Sequence, residues 1–486
     1  MRVKRGIVKS TVTDLTEKEL AVIQNYFNEF ECGSKLFNED DNSVLSGLTT
    51  WLERQGLDIE IDEDQYPEKF DIRLIDVDDT ILEQRTLRDY QVAAVKKALH
   101  FGRGIIQVST GGGKTEIAAA LYAHLIFYGY AQTAVFLVPT VFLMEQLANR
   151  LEMFGFSSVC RVGGGNKFKP DHEIYVFVVD SAYRGLKKQE IKEYLENVDV
   201  LILDEAHHAG SNSWTQVCET CQAPYRYAFT ATVYDDPSRY NKMDLTLIGL
   251  TGPIVYEVRS KELRERGYLA DPLVTILSMK APKVRAWDWD SVYKIGIVRN
   301  RLRNDAIKKL ACKCYEAGSK VMVFVGRKNH GHSLAKSIAF QLGCDVCFVH
   351  GNSTAYIYKS MDRVSRQKWS VEDVASYINE KDRAILITTT VLDEGLDVPV
   401  IDVLIMGTAM KKYRRTVQRC GRGMRPKEGH NKVYIFDFWD DCHPFLEKHS
   451  RYRLWTYKSE FFDLSKSLAE TSQVMGVDIL IDKMAS

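Results

Sequence analysis

The chain has 486 residues, of which 45% are hydrophobic, and its 65 Lys and Arg balance its 65 Asp and Glu. This length predicts two to four domains, and the neutral total excludes an overall basic field that would indicate a nucleic-acid partner. The charge is unevenly distributed, because residues 1–80 contain 9 basic and 19 acidic side chains, a balance of −10. The sequence therefore predicts an acidic N-terminal segment followed by a basic remainder.

The sequence contains no run of 18 apolar residues, and the N-terminus lacks the apolar stretch of a secretory signal. We therefore predict no membrane span and a cytoplasmic location. Two cysteine pairs have CxxC spacing, Cys218/Cys221 and Cys344/Cys347. Because they fall in different predicted lobes, we expect reduced structural cysteines rather than a zinc site.

Residues 1–80 have the pattern of a small α+β accessory domain, with strands at 7–12 and 57–61 and helices at 15–30 and 45–55. From residue 84 onward, short apolar strands alternate with helices, which predicts an α/β fold with parallel sheets. The predicted strands are residues 104–108, 133–138, 174–179, 200–203 and 226–229, then 321–325, 346–349, 384–388, 403–406 and 432–436. The predicted segments are a first lobe (81–260), a connection (261–300), a second lobe (301–442) and a helical tail (443–486).

Residues 109–115 read STGGGKT and lie between a predicted strand and a predicted helix, as a phosphate-binding loop requires. Glycine lets backbone N–H groups turn toward an anion at a helix N-terminus. We expect Lys114 to reach the β- and γ-phosphates of ATP and Thr115 to ligate Mg²⁺. The remaining loop residues expected to bind the nucleotide are Thr110, Gly111, Gly112 and Gly113.

A second motif, DEAH at residues 204–207, follows the buried strand 200–203. Two carboxylates at a strand end are costly to bury unless they meet metal and water. We predict that Asp204 holds Mg²⁺ through its shell and that Glu205 polarises the attacking water. The alternative is an ordinary acidic loop.

A third motif, QRCGRGMR at residues 418–425, lies about 300 residues after the phosphate loop. Arg422 and Arg425 are candidate arginine fingers, which stabilise the charge of a phosphoryl-transfer transition state. Gln418 is expected to position water or the γ-phosphate. A solvated basic helix is the alternative.

The order of these motifs resembles the superfamily 2 helicases and translocases. Three features are similar to those of DNA translocases of the UvsW, XPB and restriction-motor types. They are the DEAH core, the QRxGR run, and the residues EL at 262–263 with GYL at 267–269. GGG at residues 163–165 and HGH at 330–332 resemble the UvsW-type phage helicases. The resemblance implies two RecA-like lobes, ATP and Mg²⁺, and 3′→5′ movement on forked or recombination DNA. For a phage-encoded chain it implies the host cytoplasm.

The resemblance also implies an adenine-reading element in LRDYQ at residues 87–91. Arg88 and Gln91 are its candidate residues, because a Gln amide can pair with the N6 and N7 edge of adenine. The alternative is a helix start with an exposed Gln91.

Two further motifs are expected to couple hydrolysis to movement. In FTAT at residues 229–232, the hydroxyls of Thr230 and Thr232 are expected to bond the segment that contains His207. In VLDEGLDVP at residues 391–399, Gly395 and Asp397 are expected near the nucleotide or the finger loop. A turn at a strand end is the alternative for FTAT.

Small hydroxyl and glycine groups at strand ends suit contacts to a nucleic-acid backbone without base readout. The candidate contact residues are Pro139, Thr140, Gln146, Gly164, Asp180, Ser181, Gly326, Arg327, His350, Gly351 and Thr389. Each has an ordinary turn as its alternative. Residues 449–458, HSRYRLWTYK, interleave basic and aromatic side chains and either bind a strand or pack Leu454 and Trp455 onto the second lobe.

Three other functions stay open: an RNA helicase, a non-unwinding ATP-dependent switch that remodels a protein, and a restriction-motor subunit. We expect residues 1–80 to tune substrate choice and to be dispensable for ATP hydrolysis. Their net charge argues against a general phosphate-binding platform. The net charge leaves a local basic face open as an alternative, which Arg2, Lys4, Arg5 and Lys9 could supply on the first strand.

Overall fold

The computed structural model describes residues 1–27, 36–38, 40–67, 69–234, 241–279, 282–351, 354–359, 365–389, 400–427 and 431–475. The chain divides into two compact units, Met1–Arg259 and Ser260–Ser486. The first unit contains a five-stranded and a seven-stranded sheet, and the second contains a nine-stranded sheet. Within the ranges given above, no helix combines the length and the apolar composition needed to cross a bilayer.

Residues 1–64 form a small mixed sheet with two helices. The elements are β1 (Arg2–Arg5), β2 (Lys9–Thr13), α1 (Glu17–Phe27), β3 (Phe37–Asn38), β4 (Ser43–Leu45), α2 (Gly47–Arg54) and β5 (Glu60–Asp64). The strand order is β3-β4-β2-β1-β5, with β1 antiparallel to β2 and parallel to β5. Strand β1 was not predicted, because its sequence RVKR has a single apolar residue.

The seven-stranded sheet is parallel throughout. Its elements are α3 (Asp89–Phe101), β6 (Arg103–Val108), α4 (Lys114–Phe127), β7 (Ala134–Val138), α5 (Val141–Met153), β8 (Val159–Val162), β9 (Ile174–Val178), α6 (Val179–Gly185), α7 (Gln189–Asn197), β10 (Val200–Asp204), α8 (Asn212–Thr220), β11 (Tyr225–Thr230), α9 (Lys242–Thr251) and β12 (Ile254–Val258). The order is β12-β6-β11-β10-β7-β9-β8. The five strands predicted for this lobe are present, and the α/β parallel-sheet prediction is confirmed. The edge strands β8 and β12 were not predicted.

The basic side chains that could supply a local basic face on the N-terminal sheet have acidic partners. The ion pairs are Arg2–Glu60 at 3.1 Å, Lys4–Glu63 at 2.8 Å, Arg5–Asp64 at 3.0 Å and Lys9–Glu219 at 3.4 Å. Three of these pairs arise because β1 and β5 are parallel neighbours, with Arg2 opposite Glu60 and, after a register shift between Val3 and Lys4, Lys4 opposite Glu63 and Arg5 opposite Asp64. The fourth links β2 to α8 of the larger sheet.

The N-terminal sheet shares one apolar core with the seven-stranded sheet. Leu45, Leu48 and Leu245 belong to the same buried cluster. Helix α2 approaches α9 so closely that a Cβ at Gly47 would lie 2.0 Å from the carbonyl oxygen of Ile248. These contacts involve α9 rather than the carboxyl ends of the parallel strands, so residues 1–64 are an integral part of the first unit's packing.

The second unit contains a nine-stranded sheet whose central strands are parallel. Its elements are α10 (Ser260–Glu265), β13 (Asp271–Met279), α11 (Trp289–Tyr293), a π-helical turn (Lys294–Val298), α12 (Arg301–Glu316), β14 (Lys320–Phe324), α13 (Lys328–Leu342), β15 (Val346–His350), β16 (Thr354–Lys359), β17 (Ser365–Trp369), α14 (Val371–Glu380), β18 (Ala384–Thr388), β19 (Val403–Met406), α15 (Tyr413–Gly423), β20 (Lys432–Asp440), α16 (Pro444–Ser459), β21 (Asp463–Ser465) and α17 (Leu468–Met475). The order is β17-β16-β15-β18-β14-β19-β20-β13-β21. Among the described strands of this sheet, the antiparallel pairs are β15 with β16 and β16 with β17.

Two segments of the second unit differ from expectation. Strand β13 falls in the predicted connection 261–300, yet it lies between β20 and β21 in the sheet. Strand β21 falls in the predicted helical tail. Both pair with strands remote in sequence, and local periodicity does not report such pairing. The division of the chain into five segments stays a prediction.

Candidate functional site

Three motifs of the first unit meet at one edge of its parallel sheet. Strand β6 runs into the loop 109–113, β10 ends at Asp204 and β11 ends at Thr230. The strands are neighbours in the order β6-β11-β10. Parallel neighbours place their carboxyl ends at the same edge, where ligands bind in open α/β sheets. The structure therefore brings the predicted phosphate loop, the two carboxylates and the FTAT segment together.

The loop at residues 109–113 has the backbone of an anion-binding turn. Gly111 (φ 82°) and Gly113 (φ 76°) occupy the left-handed region, which glycine adopts without strain. Helix α4 begins at Lys114, so the N–H groups of its first turn lack partners within the helix. These groups are available to a phosphate at the helix N-terminus.

Residues of the predicted adenine-reading element brace this loop. The hydroxyl of Tyr90 donates to the carbonyl oxygen of Gly112 at 2.7 Å. Nε2 of Gln91 lies 3.4 Å from the carbonyl oxygens of both Gly112 and Gly113, and its Oε1 accepts from the backbone N–H of Arg88 at 2.8 Å. Gln91 is 4% exposed, so the alternative of an exposed Gln91 was wrong. Adenine reading stays a prediction, and the bracing role of Tyr90 was not predicted.

The two carboxylates have different environments. Burial, followed by the charge of Glu205, raises the pKa of Asp204 to about 6, and the Lys114 ammonium acts in the opposite direction. Oε1 of Glu205 lies 3.9 Å from Nζ of Lys114, and Oε2 lies 3.4 Å from Nδ1 of His207. Glu205 has φ 48°, a strained backbone for a residue with a side chain. Strain of this kind clusters at functional sites, and here it turns the carboxylate toward the phosphate loop.

The side chains of this edge suit a nucleoside triphosphate with a hard cation. Lys114 supplies an ammonium, Thr115 a hydroxyl on the first turn of α4, and Asp204 a carboxylate at the end of β10. Hydroxyl and carboxylate oxygens are the ligands that Mg²⁺ takes in nucleotide sites. Glu205 lies beside them with a charge that can orient and polarise water.

The threonines of the FTAT segment bond each other rather than residues 204–207. The hydroxyl of Thr230 donates to the carbonyl oxygen of Thr232 at 3.0 Å and accepts from the N–H of Thr232 at 3.3 Å. In the part of the chain that the structure describes, neither hydroxyl is bonded to the segment containing His207. Their coupling role stays a prediction.

Candidate nucleic-acid contacts of the first lobe lie at the carboxyl ends of β7, β8 and β9 or on the helices that follow. They are Pro139, Thr140, Gln146, Gly164, Asp180 and Ser181. A Cβ at Gly164 would lie 2.5 Å from Val141, and one at Gly163 would lie 3.3 Å from Oγ of Ser181, so these segments adjoin. The hydroxyl of Thr140 already caps α5 by accepting from the N–H of Leu143 at 3.2 Å.

Helix α15 carries the candidate finger residues of the second unit. Gln418 and Arg419 are each 3% exposed. The guanidinium of Arg419 lies 5.2 Å from the ring centre of Phe324, so it holds the helix against β14. Arg422 is half-buried near the end of the helix, and Arg425 follows it. The finger roles stay predictions, and Gly395 and Asp397 lie outside the described residues.

Candidate contacts of the second lobe share another sheet edge. Gly326, His350 and Thr389 follow or end the neighbouring parallel strands β14, β15 and β18. The N–H of Thr389 donates to the carbonyl oxygen of Val349 at 3.2 Å. Arg327 is already paired with Asp290. The alignment agrees with a row of backbone contacts, while the individual roles stay predictions.

Helix α16 packs on β20 through residues other than those expected. Arg453 and Tyr457 are buried, and both bond Oδ2 of Asp437, at 2.7 and 2.8 Å. Trp455 is 41% exposed, and its ring centre lies 5.9 Å from that of Tyr413 of α15, so strand binding and packing both stay open for this side chain. The helical spacing of residues 453 and 457 could have indicated the inward face.

Comparisons with known proteins agree with this geometry. The family model described as "Type III restriction enzyme, res subunit" matches residues 84–235, and "Helicase conserved C-terminal domain" matches residues 303–427. The DNA 3'-5' translocase XPB2 of Sulfurisphaera tokodaii is 25% identical over 370 residues, covering 72% of this chain and 80% of that protein.

Two solved structures are similar to this chain, and one of them bears on the fold. A fragment of a putative HsdR subunit of a type I restriction enzyme from Vibrio vulnificus has a TM-score of 0.56 at 19% identity, covering 77% of this chain and 67% of that chain. This likeness shows the fold alone. T4 UvsW aligns over 96% of this chain and 98% of its own at 17% identity, with a TM-score of 0.42.

The matched regions and the phosphate-loop site define an ATP-hydrolysing enzyme with helicase domains. The chain belongs to the superfamily 2 helicases and translocases, as its motif order predicted. Proteins of this family bind nucleic acid.

Proposed function

We propose that this protein is an ATP-dependent DNA translocase that moves 3′→5′ and unwinds or branch-migrates forked and recombination DNA. The observation that carries the proposal is the sheet edge at which Glu205 lies 3.9 Å from Lys114 of the phosphate loop. DNA as the track and the 3′→5′ direction are taken from the similarity to the XPB2 translocase, whose name states both.

Hydrolysis is assigned to residues with distinct tasks. Lys114 and the first turn of α4 bind the phosphates, and Glu205 orients and polarises the attacking water. Thr115 and Asp204 would hold Mg²⁺, which would supply positive charge to the phosphates. Arg422 and Arg425 stabilise the charge that develops in the transition state.

We assign the nucleic-acid track to the candidate contacts at the strand ends of both lobes. Their glycines and hydroxyls bind backbone phosphate rather than base edges, which suits movement over any sequence. The described cysteines are free thiols, which supports a reducing compartment such as the cytoplasm.

The test is ATP hydrolysis and strand displacement by the full chain. Turnover is measured without nucleic acid and with single-stranded DNA, forked DNA and RNA, and displacement is measured on forks with either a 3′ or a 5′ tail. We expect DNA-stimulated turnover, displacement from the 3′-tailed fork, and loss of both with a chelator or with Lys114→Ala. Stimulation by RNA alone would favour an RNA helicase. Turnover without displacement or branch migration would favour a remodelling switch, and DNA cleavage that needs partner chains would favour a restriction motor.

A further inference from the structure

Glu116, on the first turn of α4, is a buried carboxylate beside the phosphate loop that has no role in the hydrolysis proposed above. It is 9% exposed and directly follows Thr115. Its Oε1 lies 3.9 Å from a guanidinium nitrogen of Arg85 and 3.9 Å from one of Arg150. Both distances exceed a hydrogen bond, so these two arginines offset the charge of the carboxylate without donating to it.

The second oxygen of this carboxylate, Oε2, is buried and accepts no hydrogen bond from the described residues. A buried charged group with an unsatisfied oxygen is costly, and such an exception calls for an explanation. The first turn of a helix favours an acidic residue because the helix N-terminus carries partial positive charge. This preference accounts for an acid at position 116, but it does not supply a donor to Oε2.

Oε2 of Glu116 lies where the base of the nucleotide is expected. A Cβ at Gly113 would lie 3.1 Å from Oε2 of Glu116 and 2.2 Å from Nε2 of Gln91, so both side chains border the same point of the phosphate loop. Gln91 belongs to the predicted adenine-reading element. The unsatisfied oxygen therefore lies beside the amide that is predicted to contact the base.

The two ends of the Gln91 amide are engaged to different extents. Its Oε1 accepts from the N–H of Arg88 at 2.8 Å, whereas its Nε2 makes only long contacts of 3.4 Å to the carbonyl oxygens of Gly112 and Gly113. On the adenine edge, N7 accepts a hydrogen bond and the N6 amino group donates one. Nε2 of Gln91 can donate to N7, and Oε2 of Glu116 can accept from the N6 amino group.

We propose that Glu116 is the residue that distinguishes adenine from a 6-oxopurine such as guanine, by accepting a hydrogen bond from the N6 amino group. N7 is an acceptor in both bases, so donation from Gln91 does not separate them. Position 6 carries a donor in adenine and an acceptor oxygen in guanine, and a carboxylate accepts from the first and repels the second. This assignment rests on the proposed function, because it requires an ATP site at this sheet edge.

The experiment compares three triphosphates that differ at position 6 of the purine. ATP carries an amino group there, inosine triphosphate an oxygen and purine riboside triphosphate a hydrogen. Hydrolysis by the full chain is measured as kcat/KM for each nucleotide in the presence of single-stranded DNA. We expect the wild type to prefer ATP to each of the other two by about tenfold or more, as is usual for a specific hydrogen bond to a base edge.

Glu116→Gln keeps the shape of the side chain, and its amide can donate to the oxygen of inosine. We expect the ratio of kcat/KM for ATP to that for inosine triphosphate to fall about tenfold in this variant. Gln91→Leu should lower kcat/KM for both nucleotides by the same factor, because both carry N7. Glu196→Gln, an exposed acid of α7, is the control and should match the wild type.

Thermal melting checks that each variant is folded, and the wild-type comparison of the three nucleotides depends on no variant. Equal kcat/KM for all three in the wild type would refute the assignment. Slower hydrolysis by Glu116→Gln with an unchanged ratio would also refute it and leave Glu116 as a positioning residue for Arg85 and Arg150. A ratio that falls in Gln91→Leu but not in Glu116→Gln would return base selection to Gln91. Absence of ATP hydrolysis by the wild type would instead contradict the proposed function.

Discussion

Carboxylates stand near the carboxyl ends of sheet strands in both units, but their partners differ. In the first unit, Glu205 follows β10 directly, is 13% exposed and lies 3.9 Å from the ammonium of Lys114. Its backbone is strained at φ 48°. This carboxylate lies near the Lys114 ammonium at a distance longer than a hydrogen bond, and its second oxygen lies 3.4 Å from Nδ1 of His207.

In the second unit, Asp437 and Asp440 of β20 are enclosed by arginines. Their side chains are each 2% exposed, and they accept from Arg453 at 2.7 Å and from Arg303 at 2.8 Å. Arg303 also donates to the carbonyl oxygen of Gly407 at 2.7 Å. Saturated hydrogen bonds make these carboxylates part of the structure. The comparison shows that partner geometry, rather than residue type or strand position, distinguishes the candidate catalytic carboxylate Glu205 from the enclosed Asp437 and Asp440.

The largest expected effect is at Glu205, the candidate catalytic carboxylate. Glu205→Gln should lower ATP turnover about a thousandfold or more while nucleotide binding is retained, because the amide keeps the shape and loses the charge that polarises water. Thermal stability should not fall, since the variant removes a like charge that raises the pKa of Asp204. Turnover, fluorescent-nucleotide binding and melting are measured side by side. Wild-type turnover would exclude Glu205 as the catalytic carboxylate.

The next effect concerns cations expected to act only in the transition state. Arg422→Ala and Arg425→Ala should each lower turnover by roughly a thousandfold and change ATP affinity much less, because transition-state charge is what they stabilise. Arg451→Ala, a highly exposed arginine of α16, is the matched control. Weaker ATP binding with full turnover at saturation would contradict a finger role.

Variants at the enclosed carboxylates should change the free energy of unfolding, whereas the variants above should change ATP turnover. Arg303→Met leaves Asp440 buried with only Arg453 nearby, at 3.7 Å, and should lower the free energy of unfolding by about 3 kcal/mol. Breaking the surface pair Arg451–Glu447 should change it by less than about 0.5 kcal/mol. Denaturant unfolding measures both. Equal stability of the two variants would remove the distinction between enclosed and surface pairs.

Sequence reasoning identified Asp204 and Glu205 as candidate site residues, but it missed the structural role of Asp437 and Asp440. DEAH at residues 204–207 follows an apolar strand and matches a known motif, whereas Asp437 and Asp440 alternate with aromatic residues inside β20. Their partners lie on α12 and α16, and no local pattern reports such pairing. The same limit hid the pairing of Arg2 with Glu60 and the core shared by α2 and α9.

That shared core changes how the N-terminal residues can be tested. Removing residues 1–80 would uncover Leu245 and Ile248 of α9, so loss of activity in the truncation would report unfolding as readily as substrate choice. Point variants on the exposed face of the N-terminal sheet avoid this difficulty. The carboxylates on this face, Glu60 and Glu63, are a third case, because their ion pairs with Arg2 and Lys4 are exposed to solvent.

The smallest expected effect is at those exposed pairs. Side chains of Glu60 and Glu63 are 69% and 65% exposed and neutralise Arg2 and Lys4 on the neighbouring strand. Replacing both with Gln should leave folding and turnover unchanged, because exposed pairs contribute little to stability. The unmasked charges should raise non-specific DNA affinity roughly two- to threefold at low salt, and the gain should fade near 200 mM as screening grows. Anisotropy at two salt concentrations measures this, with Glu196→Gln, an exposed acid of α7, as the control. A gain that persists at high salt would mean that the N-terminal sheet holds a specific DNA site, and a gain in the control would assign the effect to net charge alone.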